Sequence, residues 1–326
     1  MKKALIFGVT GQDGSYLADL LLEKGYEVHG MVRKSATGNL DNINHIINNE
    51  EIYNKNFFIH HGDMLDSTSL YRIISSVMPD EIYNEADQDH VGWSYDMVGY
   101  STDITSSAVA KILELVRLIN KNIRFFQPCS SNMYGISDTA TQNESTKFNP
   151  QSPYAIAKTS AYYFTKYYRE NFGIHASVGI LFNHESPRRT PEYVSRKITK
   201  SVARIYLKKQ KELVLGDLNA EIDWGYAKDY MEAAWKMLQQ NNADDYVIGS
   251  GKAHSINDFV SIAFESVELD PKKFVRSSKE FIRPTKTSTL ISDTSKAKSL
   301  LGFSPNTEFK ELVQMMVRSD IDMESN

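Results

Sequence analysis

The stretch that decides the fold is ALIFGVTGQDGSYLADLLLEK, residues 4–24. Residues 4–7 form an apolar run typical of a buried strand, and a helical pattern occupies residues 14–24. The glycines between them allow a tight turn, a close approach of the backbone to a pyrophosphate, and packing of the helix against the strand. The N–H groups at a helix start also attract phosphate. This stretch predicts a dinucleotide site whose cofactor-binding residues are Gly8, Thr10, Gly11, Gln12, Asp13 and Gly14.

Short β-rich runs alternate with helical patterns through the first half of the chain. The predicted strands are residues 4–7, 27–32, 57–60, 81–83, 123–127 and 176–182. The predicted helices are residues 14–24, 67–77, 102–119 and 153–172. Alternation of this kind predicts right-handed β-α-β units and a parallel sheet covered on both faces. The predicted fold class is therefore α/β, with a doubly wound parallel sheet of the Rossmann type.

The pattern changes after Phe182. Residues 183–191 are polar and carry two prolines, which predicts irregular structure. A helical pattern at 193–207, a short strand at 213–215 and a second helical pattern at 228–240 follow. We predict a dinucleotide-binding domain over 1–182, which segments near 213–249 rejoin. The remainder of 183–326 is predicted to be mostly a smaller substrate-binding lobe.

Composition excludes several classes of protein. The 326 residues are 41% hydrophobic and 24% charged, as in an ordinary globular protein. The net charge of -4 provides no basic surface for nucleic acid or an anionic membrane. No stretch approaches the roughly 20 apolar residues of a membrane span. The single cysteine, Cys129, fits a reducing compartment and is expected to be a packing residue. We expect a cytoplasmic protein with no metal site.

The end of the second predicted strand bears on the choice between NAD and NADP. An acid there binds the ribose hydroxyls of NAD, whereas an arginine accommodates the 2′-phosphate of NADP. The segment Val32-Arg33-Lys34 has no acid, which favours NADP weakly, since Arg33 could stack on adenine instead. Asp63, after the third strand, is predicted to bind the adenine amino group, with an ordinary helix N-cap as the alternative. The predicted cofactor-binding residues beyond the glycine loop are Arg33, Asp63, Met64 and Ala86.

Tyr154 and Lys158 form a Y-x-x-x-K pattern in the predicted helix 153–172. Residues four apart share one face of a helix, so the ammonium lies beside the phenol. Lys158 and a positively charged nicotinamide ring are expected to lower the pKa of Tyr154, which can then take a proton from a sugar hydroxyl while hydride leaves the same carbon. Ser130 or Ser131, at the end of the preceding strand, can share a hydrogen bond with that hydroxyl. We predict all four residues to be catalytic, with Tyr154 and Lys158 also contacting the cofactor.

The chain resembles the extended short-chain dehydrogenase/reductase family, and within it the GDP-mannose 4,6-dehydratases, over essentially its whole length. The motifs that carry the resemblance are GVTGQDGSYL at 8–17, SPYAIAK at 152–158, LFNHESPRR at 181–189, RKIT at 196–199 and DWG at 223–225. The resemblance implies a GDP-linked sugar of manno configuration, a tightly bound nicotinamide cofactor, and a homodimer or homotetramer. The substrate-binding residues that it implies are Gln88, Asn132, Asn183, Glu185, Arg188, Lys197 and Arg283.

Departures from the family pattern bear on the function. The loop of the dehydratases resembles S-T-S-E-L-Y-G, in which the threonine assists C4 oxidation and the glutamate handles the C5 proton during elimination. Ser130 keeps the hydroxyl, but Asn132 stands where the carboxylate is needed. Ile222 and Lys286 depart at positions that contact the nucleotide in the family, which puts the binding of GDP in some doubt.

The segment 85–93 is also unusual. Glu85, Asp87, Asp89 and Trp93 stand where the family has small or neutral residues. An acid at 87 or 89 could bind extra hydroxyls of a longer sugar, or could be a surface charge.

These observations favour one function over three alternatives. The favoured function is nicotinamide-dependent oxidation of C4 of a GDP-manno hexose or heptose to the 4-keto sugar nucleotide, without dehydration. A C4 epimerase is the first alternative. A 4,6-dehydratase that uses a different acid, for which Glu185 is the obvious residue, is the second. A non-enzymatic protein that binds sugar nucleotide is the third, and the intact Tyr154–Lys158 pair argues against it.

Overall fold

The computed structural model describes residues 1–35, 38–278 and 288–325. The strands are β1 (Lys3–Phe7), β2 (Glu27–Val32), β3 (Phe57–His61), β4 (Glu81–Asn84), β5 (Arg124–Ser130), β6 (Ala176–Leu181), β7 (Asn183–Glu185), β8 (Leu213–Leu215), β9 (Glu221–Tyr226), β10 (Asp245–Ile248), β11 (Ala253–Ser255) and β12 (Val275–Ser277). The helices are α1 (Gln12–Glu23), α2 (Asn44–Ile47), α3 (Ser67–Val77), α4 (Val98–Thr102), α5 (Ala108–Ile119), α6 (Pro153–Phe172), α7 (Val194–Tyr206), α8 (Ala227–Gln239), α9 (Ile256–Glu265), α10 (Ser295–Leu301) and α11 (Phe309–Ser325).

The central sheet has seven strands in the order β10-β6-β5-β4-β1-β2-β3. Every neighbouring pair in it is parallel. This order is the doubly wound Rossmann arrangement with one further strand at the β6 edge. The predicted fold class is therefore confirmed.

Apolar side chains cover both faces of the sheet, as a parallel sheet requires. On one face, α1 and α8 pack around a core that includes Leu17, Leu21 and Met237. On the other face, α3, α5 and α6 pack around Leu70, Ile112 and other buried residues.

A second core lies in the C-terminal part of the chain. A three-stranded sheet, β11-β9-β7, and a two-stranded sheet, β12-β8, accompany the helices α7, α9 and α11 there. Trp224 of β9 is fully buried and stacks on Phe309 of α11, with 5.6 Å between ring centroids. This lobe lies beyond the carboxyl edge of the central sheet, because β7 directly continues the chain from β6.

After residue 183 the chain returns to the central sheet with α8 and β10, and later with α10, which packs against both. β10 pairs with β6 as an edge strand, and α8 packs against α1. In contrast, the strand at 213–215 does not rejoin the central sheet but pairs with β12 in the second lobe. Local sequence could not distinguish these two outcomes, because both segments are short apolar strands.

Two local predictions were wrong in detail. Residues 183–191 were predicted to be irregular, but β7 forms at their start and pairs with β9. That pairing depends on a strand far along the chain. The helix predicted at 102–119 begins earlier, because α4 continues through a π-helical turn, Asp103–Ser107, into α5. No helix within the described ranges is long and apolar enough to cross a membrane.

Candidate active site

The loop between β1 and α1 has the geometry that its glycines predict. Gly8 has φ +77°, and a Cβ there would lie 2.5 Å from the carbonyl oxygen of Glu85. A Cβ on Gly14 would lie 2.3 Å from the carbonyl oxygen of Gly8, so the helix can only pack this closely with glycine. Gly11 is the N-cap of α1 and supplies no side chain to its N–H groups. An uncapped helix start beside a glycine turn fits a pyrophosphate.

This loop lies at the switch point of the sheet. β1 pairs with β2 on one side and with β4 on the other. Strands β1 to β3 are added toward one edge of the sheet and β4 to β6 toward the other edge, so the direction of addition reverses between β1 and β4. Open α/β sheets bind ligands in the crevice outside the carboxyl ends of their strands at such a point. The segment after β4 therefore borders the same crevice, and it contains Glu85, Ala86 and Asp87.

The predicted catalytic pair, Tyr154 and Lys158, lies in the first turns of α6. Ser152 caps this helix by accepting a hydrogen bond from the Ala155 N–H at 3.1 Å, and Pro153 occupies its first position. Tyr154 and Lys158 are both buried, and the Lys158 Nζ lies 5.8 Å from the centre of the Tyr154 ring. The Nζ donates a hydrogen bond to the carbonyl oxygen of Pro128 in β5 at 2.7 Å. The two side chains therefore share one face of α6 and point toward the end of β5.

Asp87 is a partner of Lys158 that the sequence did not reveal. Its carboxylate contacts the Lys158 ammonium, and it accepts a hydrogen bond from the Thr105 hydroxyl at 2.5 Å. Asp87 was noted as an unusual acid, but its pairing with Lys158 joins two segments that are distant in sequence. The pair lies in the interior, with the side chain of Lys158 4% exposed and that of Asp87 10% exposed.

These charges change the expected state of Tyr154. Burial raises the pKa of Tyr154, and the negative charges of Asp87 and Asp89 raise it further, while Lys158 and a hydrogen bond with Ser130 lower it. In the protein alone, the pKa of Tyr154 is thus above its ordinary value. The expected lowering by Lys158 is present but is smaller than the effect of burial. Burial, opposed by Lys158, also raises the pKa of Cys129 to about 12, which fits a packing role.

The end of β5 brings Ser130 and Asn132 together. The Ser130 hydroxyl oxygen accepts hydrogen bonds from the Asn132 backbone N–H at 3.2 Å and from the Asn132 side-chain amide at 3.0 Å. Ser130, rather than Ser131, is the serine that interacts with Tyr154. The Ser131 side chain is buried in the turn that follows β5. The geometry therefore favours Ser130 over Ser131 as the neighbour of a reacting hydroxyl.

The glycine loop is connected to the segment 183–189. The Gln12 side chain donates to the His184 carbonyl oxygen at 3.1 Å and accepts from the Ser186 hydroxyl at 2.8 Å. Asp13 and His184 form a partly buried pair at 2.8 Å. Although desolvation acts in the opposite direction, this pairing raises the pKa of His184 and lowers that of Asp13. Gln12 and Asp13 thus hold the two loops together, besides bordering the predicted phosphate site.

Glu185 and Arg189 form a second charged group beside the site. The Glu185 carboxylate accepts from the Ser195 hydroxyl at 2.5 Å and lies 3.4 Å from the Arg189 guanidinium. Burial raises the pKa of Glu185, and Arg189 opposes it. Arg189 also lies 3.5 Å from Asp89 and stacks 3.4 Å above the Tyr193 ring. Arg189 and Tyr193 are not among the residues that the sequence predicts for the site, because nothing local separates Arg189 from the adjacent Arg188.

Some predicted substrate-binding residues have other partners. Arg188 pairs with Asp19 at 2.8 Å and stacks on Tyr16, so its guanidinium lies against α1. Lys197 donates to the Val214 carbonyl oxygen at 2.8 Å. Gln88 is buried and bonds Ser101 and the His90 carbonyl oxygen. Arg283 and Lys286 fall outside the described residues.

The predicted adenosine-binding residues and the remaining substrate residues also have defined places. Arg33 is exposed and donates to the Tyr100 hydroxyl at 3.2 Å. Asp63 follows β3 and accepts from the Leu65 N–H at 2.9 Å, while Asp66 is the N-cap of α3, so the N-cap alternative for Asp63 was wrong. Met64 is buried beside it, and Asn183 begins β7.

The Rossmann sheet, the glycine loop and the Tyr154–Lys158 pair together define an enzyme of the extended short-chain dehydrogenase/reductase type. A family model described as GDP-mannose 4,6 dehydratase matches residues 5–316. GDP-mannose 4,6 dehydratase 1 of Arabidopsis thaliana is 44% identical over 99% of this chain and 90% of its own length. GDP-mannose 4,6-dehydratase of Yersinia enterocolitica is 41% identical over 98% and 94%. The chain belongs to the GDP-mannose 4,6-dehydratase family.

Solved structures are similar over the whole chain. The crystal structure of dTDP-glucose 4,6-dehydratase from Bacillus anthracis, in complex with NAD, has a TM-score of 0.86 and 20% sequence identity, and the match covers 100% of this chain and 98% of that one. At this identity the likeness establishes the fold.

Proposed function

We propose that the protein oxidises C4 of a GDP-linked manno sugar, hexose or heptose, to the 4-keto sugar nucleotide and does not eliminate water. The relatives named GDP-mannose 4,6-dehydratase support the substrate class. The proposal depends on one observation, which is that the Asn132 side-chain amide donates a hydrogen bond to the Ser130 hydroxyl. Asn132 occupies the position at which the resemblance to the dehydratases implies a carboxylate for elimination. An amide can hold a hydroxyl but cannot take a proton from carbon. We therefore expect the oxidation of C4 to occur without the elimination of water that would follow it in a dehydratase.

The chain's own residues account for the first half of the chemistry. A nicotinamide cofactor, NAD or NADP, would supply the hydride acceptor, held at the loop from Gly8 to Gly14. Tyr154 would receive the proton of the C4 hydroxyl, because it is buried beside Ser130 and Lys158. Ser130 would orient that hydroxyl, while Lys158 would stabilise the phenolate. Asn132, already bonded to Ser130, would hold the sugar rather than react with it.

The alternatives remain distinguishable by their products. An epimerase would return an isomer of unchanged mass. A dehydratase would release water and would need another acid, and Glu185 is buried and held by Ser195 and Arg189. A dehydrogenase product lacks two hydrogens and leaves reduced cofactor, which must exchange or be reoxidised by a second oxidant. Mass spectrometry of the product from candidate GDP-sugars separates all three.

The proposal of a homodimer or homotetramer is supported by the outer face of α6. Ile156, Tyr163 and Tyr167 are exposed there at spacings of seven and four residues, which places them on one side of the helix. Exposed apolar side chains in such a row are typical of a contact surface. The exact oligomeric state stays a prediction.

Purified protein is expected to retain its cofactor through chromatography. The pairing of Asp13 with His184 links the glycine loop to the segment 183–189 and so restrains the loop that is predicted to hold the cofactor. The measurement is mass spectrometry of the nucleotide released after denaturation, which also decides between NAD and NADP. Release of neither cofactor in either redox form would contradict the glycine-loop argument.

The Asp87→Asn variant is expected to shift the pH dependence of oxidation to lower pH. Tyr154 must lose its proton to act as a base, so the rate rises as pH passes its pKa. Asp87 raises the pKa of Tyr154 directly and also offsets the charge of Lys158. Its removal lowers the pKa of Tyr154 in both ways, so the rising limb moves to lower pH. The measurement is the initial rate of cofactor reduction against pH.

Asp89→Asn is the matched control for this experiment. The Asp89 side chain is 55% exposed and lies near Arg189, so solvent screens its effect on Tyr154. Its shift should have the same sign but be smaller. An unchanged profile in Asp87→Asn, or a shift to higher pH, would show that the Asp87–Lys158 contact does not control Tyr154.

A further inference from the structure

Glu85 occupies a distinctive place at the switch point. It directly follows β4, and its carbonyl oxygen lies against the Cα of Gly8, where any Cβ would approach to 2.5 Å. Its carboxyl group lies within electrostatic reach of Asp13 in α1 on one side and of Asp87 and Lys158 on the other. It therefore lies between the glycine loop and the catalytic pair, which is the span that a bound dinucleotide must cross.

The charges around Glu85 leave it without a cation of its own. Asp13 is paired with His184 at 2.8 Å, and Asp87 is in contact with Lys158. Glu85 has one carboxyl oxygen, Oε1, that is inaccessible and has no hydrogen-bond partner in the described part of the chain. Of the three acids that influence one another here, Asp13 and Asp87 are each paired with a basic side chain.

The remaining charged neighbours do not change this balance. Arg189 lies near enough to Asp13 to lower its pKa but is held by Glu185 and Asp89. Tyr83 of β4 lies behind Glu85, and burial raises its pKa well above the ordinary value. Burial, and then Asp13, raises the pKa of Glu85 well above its ordinary value, Asp87 adds to the rise, and Lys158 opposes it.

We propose that Glu85 binds the dinucleotide as a neutral carboxylic acid, which donates a hydrogen bond to a phosphate or ribose oxygen of the cofactor. An ionised carboxylate has only acceptors and would repel a pyrophosphate, whereas a protonated one has a donor. Cofactor affinity is consequently linked to a proton on Glu85. Above the pH at which Glu85 ionises in the free protein, each cofactor that binds takes up one proton. This inference needs the cofactor but does not depend on whether water is eliminated.

The test measures binding of NAD⁺ and NADP⁺ to the full chain freed of nucleotide, by calorimetry at several pH values and in buffers of different ionisation enthalpy. The wild type should bind more weakly as pH rises past the ionisation of Glu85, with a limiting slope of about tenfold in Kd per pH unit. The dependence of its binding enthalpy on the ionisation enthalpy of the buffer should correspond to the uptake of one proton per bound cofactor. Glu85→Gln keeps a neutral donor at every pH, so its affinity should match that of the wild type at low pH and lack this decline.

Two comparisons make the outcome decisive. Titration of the cofactor's own phosphates is common to wild type and variant, so only the difference between them reports on Glu85. In Asp87→Asn the decline should begin at lower pH, because a negative neighbour that keeps Glu85 protonated is gone. A folded Glu85→Gln variant that keeps the wild-type pH dependence, or that binds no cofactor at any pH, would overturn the proposal, as would a wild type that takes up no proton.

Discussion

The Tyr154→Phe variant is expected to lose about two to four orders of magnitude in kcat, the usual worth of a positioned general base. Tyr154 is buried, interacts with Ser130, and has the Lys158 ammonium 5.8 Å from the centre of its ring. Phenylalanine keeps the ring and its packing. Because one hydroxyl contact is lost, substrate affinity should change little. The measurement is kcat and KM for cofactor reduction with the GDP-sugar.

Tyr162→Phe is the matched control. It removes a phenol hydroxyl from the same helix, where that hydroxyl donates to Asp245 at 2.9 Å, away from the catalytic pair. This variant should lose some thermal stability but retain kcat close to that of the wild type. Turnover of Tyr154→Phe comparable to that of Tyr162→Phe would remove Tyr154 from the mechanism.

The parts of the site that could be predicted from sequence are those set by short-range geometry. The requirement for glycine at residue 14 follows from a contact within one strand-turn-helix unit, and at residue 8 the local turn has a positive φ. The close approach of the Glu85 backbone to Gly8 comes from a distant segment. The facing of Tyr154 and Lys158 follows from helical spacing alone. The parallel, doubly wound character of the central sheet follows from strand–helix alternation and the handedness of the crossovers.

The parts that could not be predicted depend on contacts between distant segments. The Asp87–Lys158 pair joins the segment after β4 to α6. The local sequence of either segment does not indicate that the other is its partner. Arg188 and Arg189 are adjacent and chemically equal, yet one lies against α1 and the other beside Glu185. The pairing of β7 with β9 similarly needs a partner that the local sequence does not contain. The sequence therefore indicates which reactive and charged side chains are present, whereas their pairing with one another is known only from the tertiary structure.

The product of the wild-type enzyme is expected to lose the C4 deuterium and to keep its C6 oxygen after turnover of GDP-mannose, or of its heptose relative, labelled with deuterium at C4. The deuterium should be found on the reduced cofactor and not at C6. Elimination across C5 and C6 requires the C5 proton to be taken and the C6 hydroxyl to leave as water, and the reduction that follows would return hydride to C6 and a proton to C5. Asn132 can neither take nor return the C5 proton, and its amide is engaged with Ser130. The measurement is mass spectrometry and NMR of the product and of the reduced cofactor.

The GDP-mannose 4,6-dehydratase of Yersinia enterocolitica, 41% identical to this chain, is the positive control, since its product should show the loss of water and the label at C6. Asn132→Glu introduces a carboxylate at the end of β5 but loses the amide donation to Ser130, so at most a trace of elimination is expected from it. The decision rests on the wild type. If it forms a 4-keto-6-deoxy sugar as fast as it reduces cofactor, a different carboxyl group performs the elimination. Glu185, buried with a raised pKa and held by Ser195, would then be the first residue to replace.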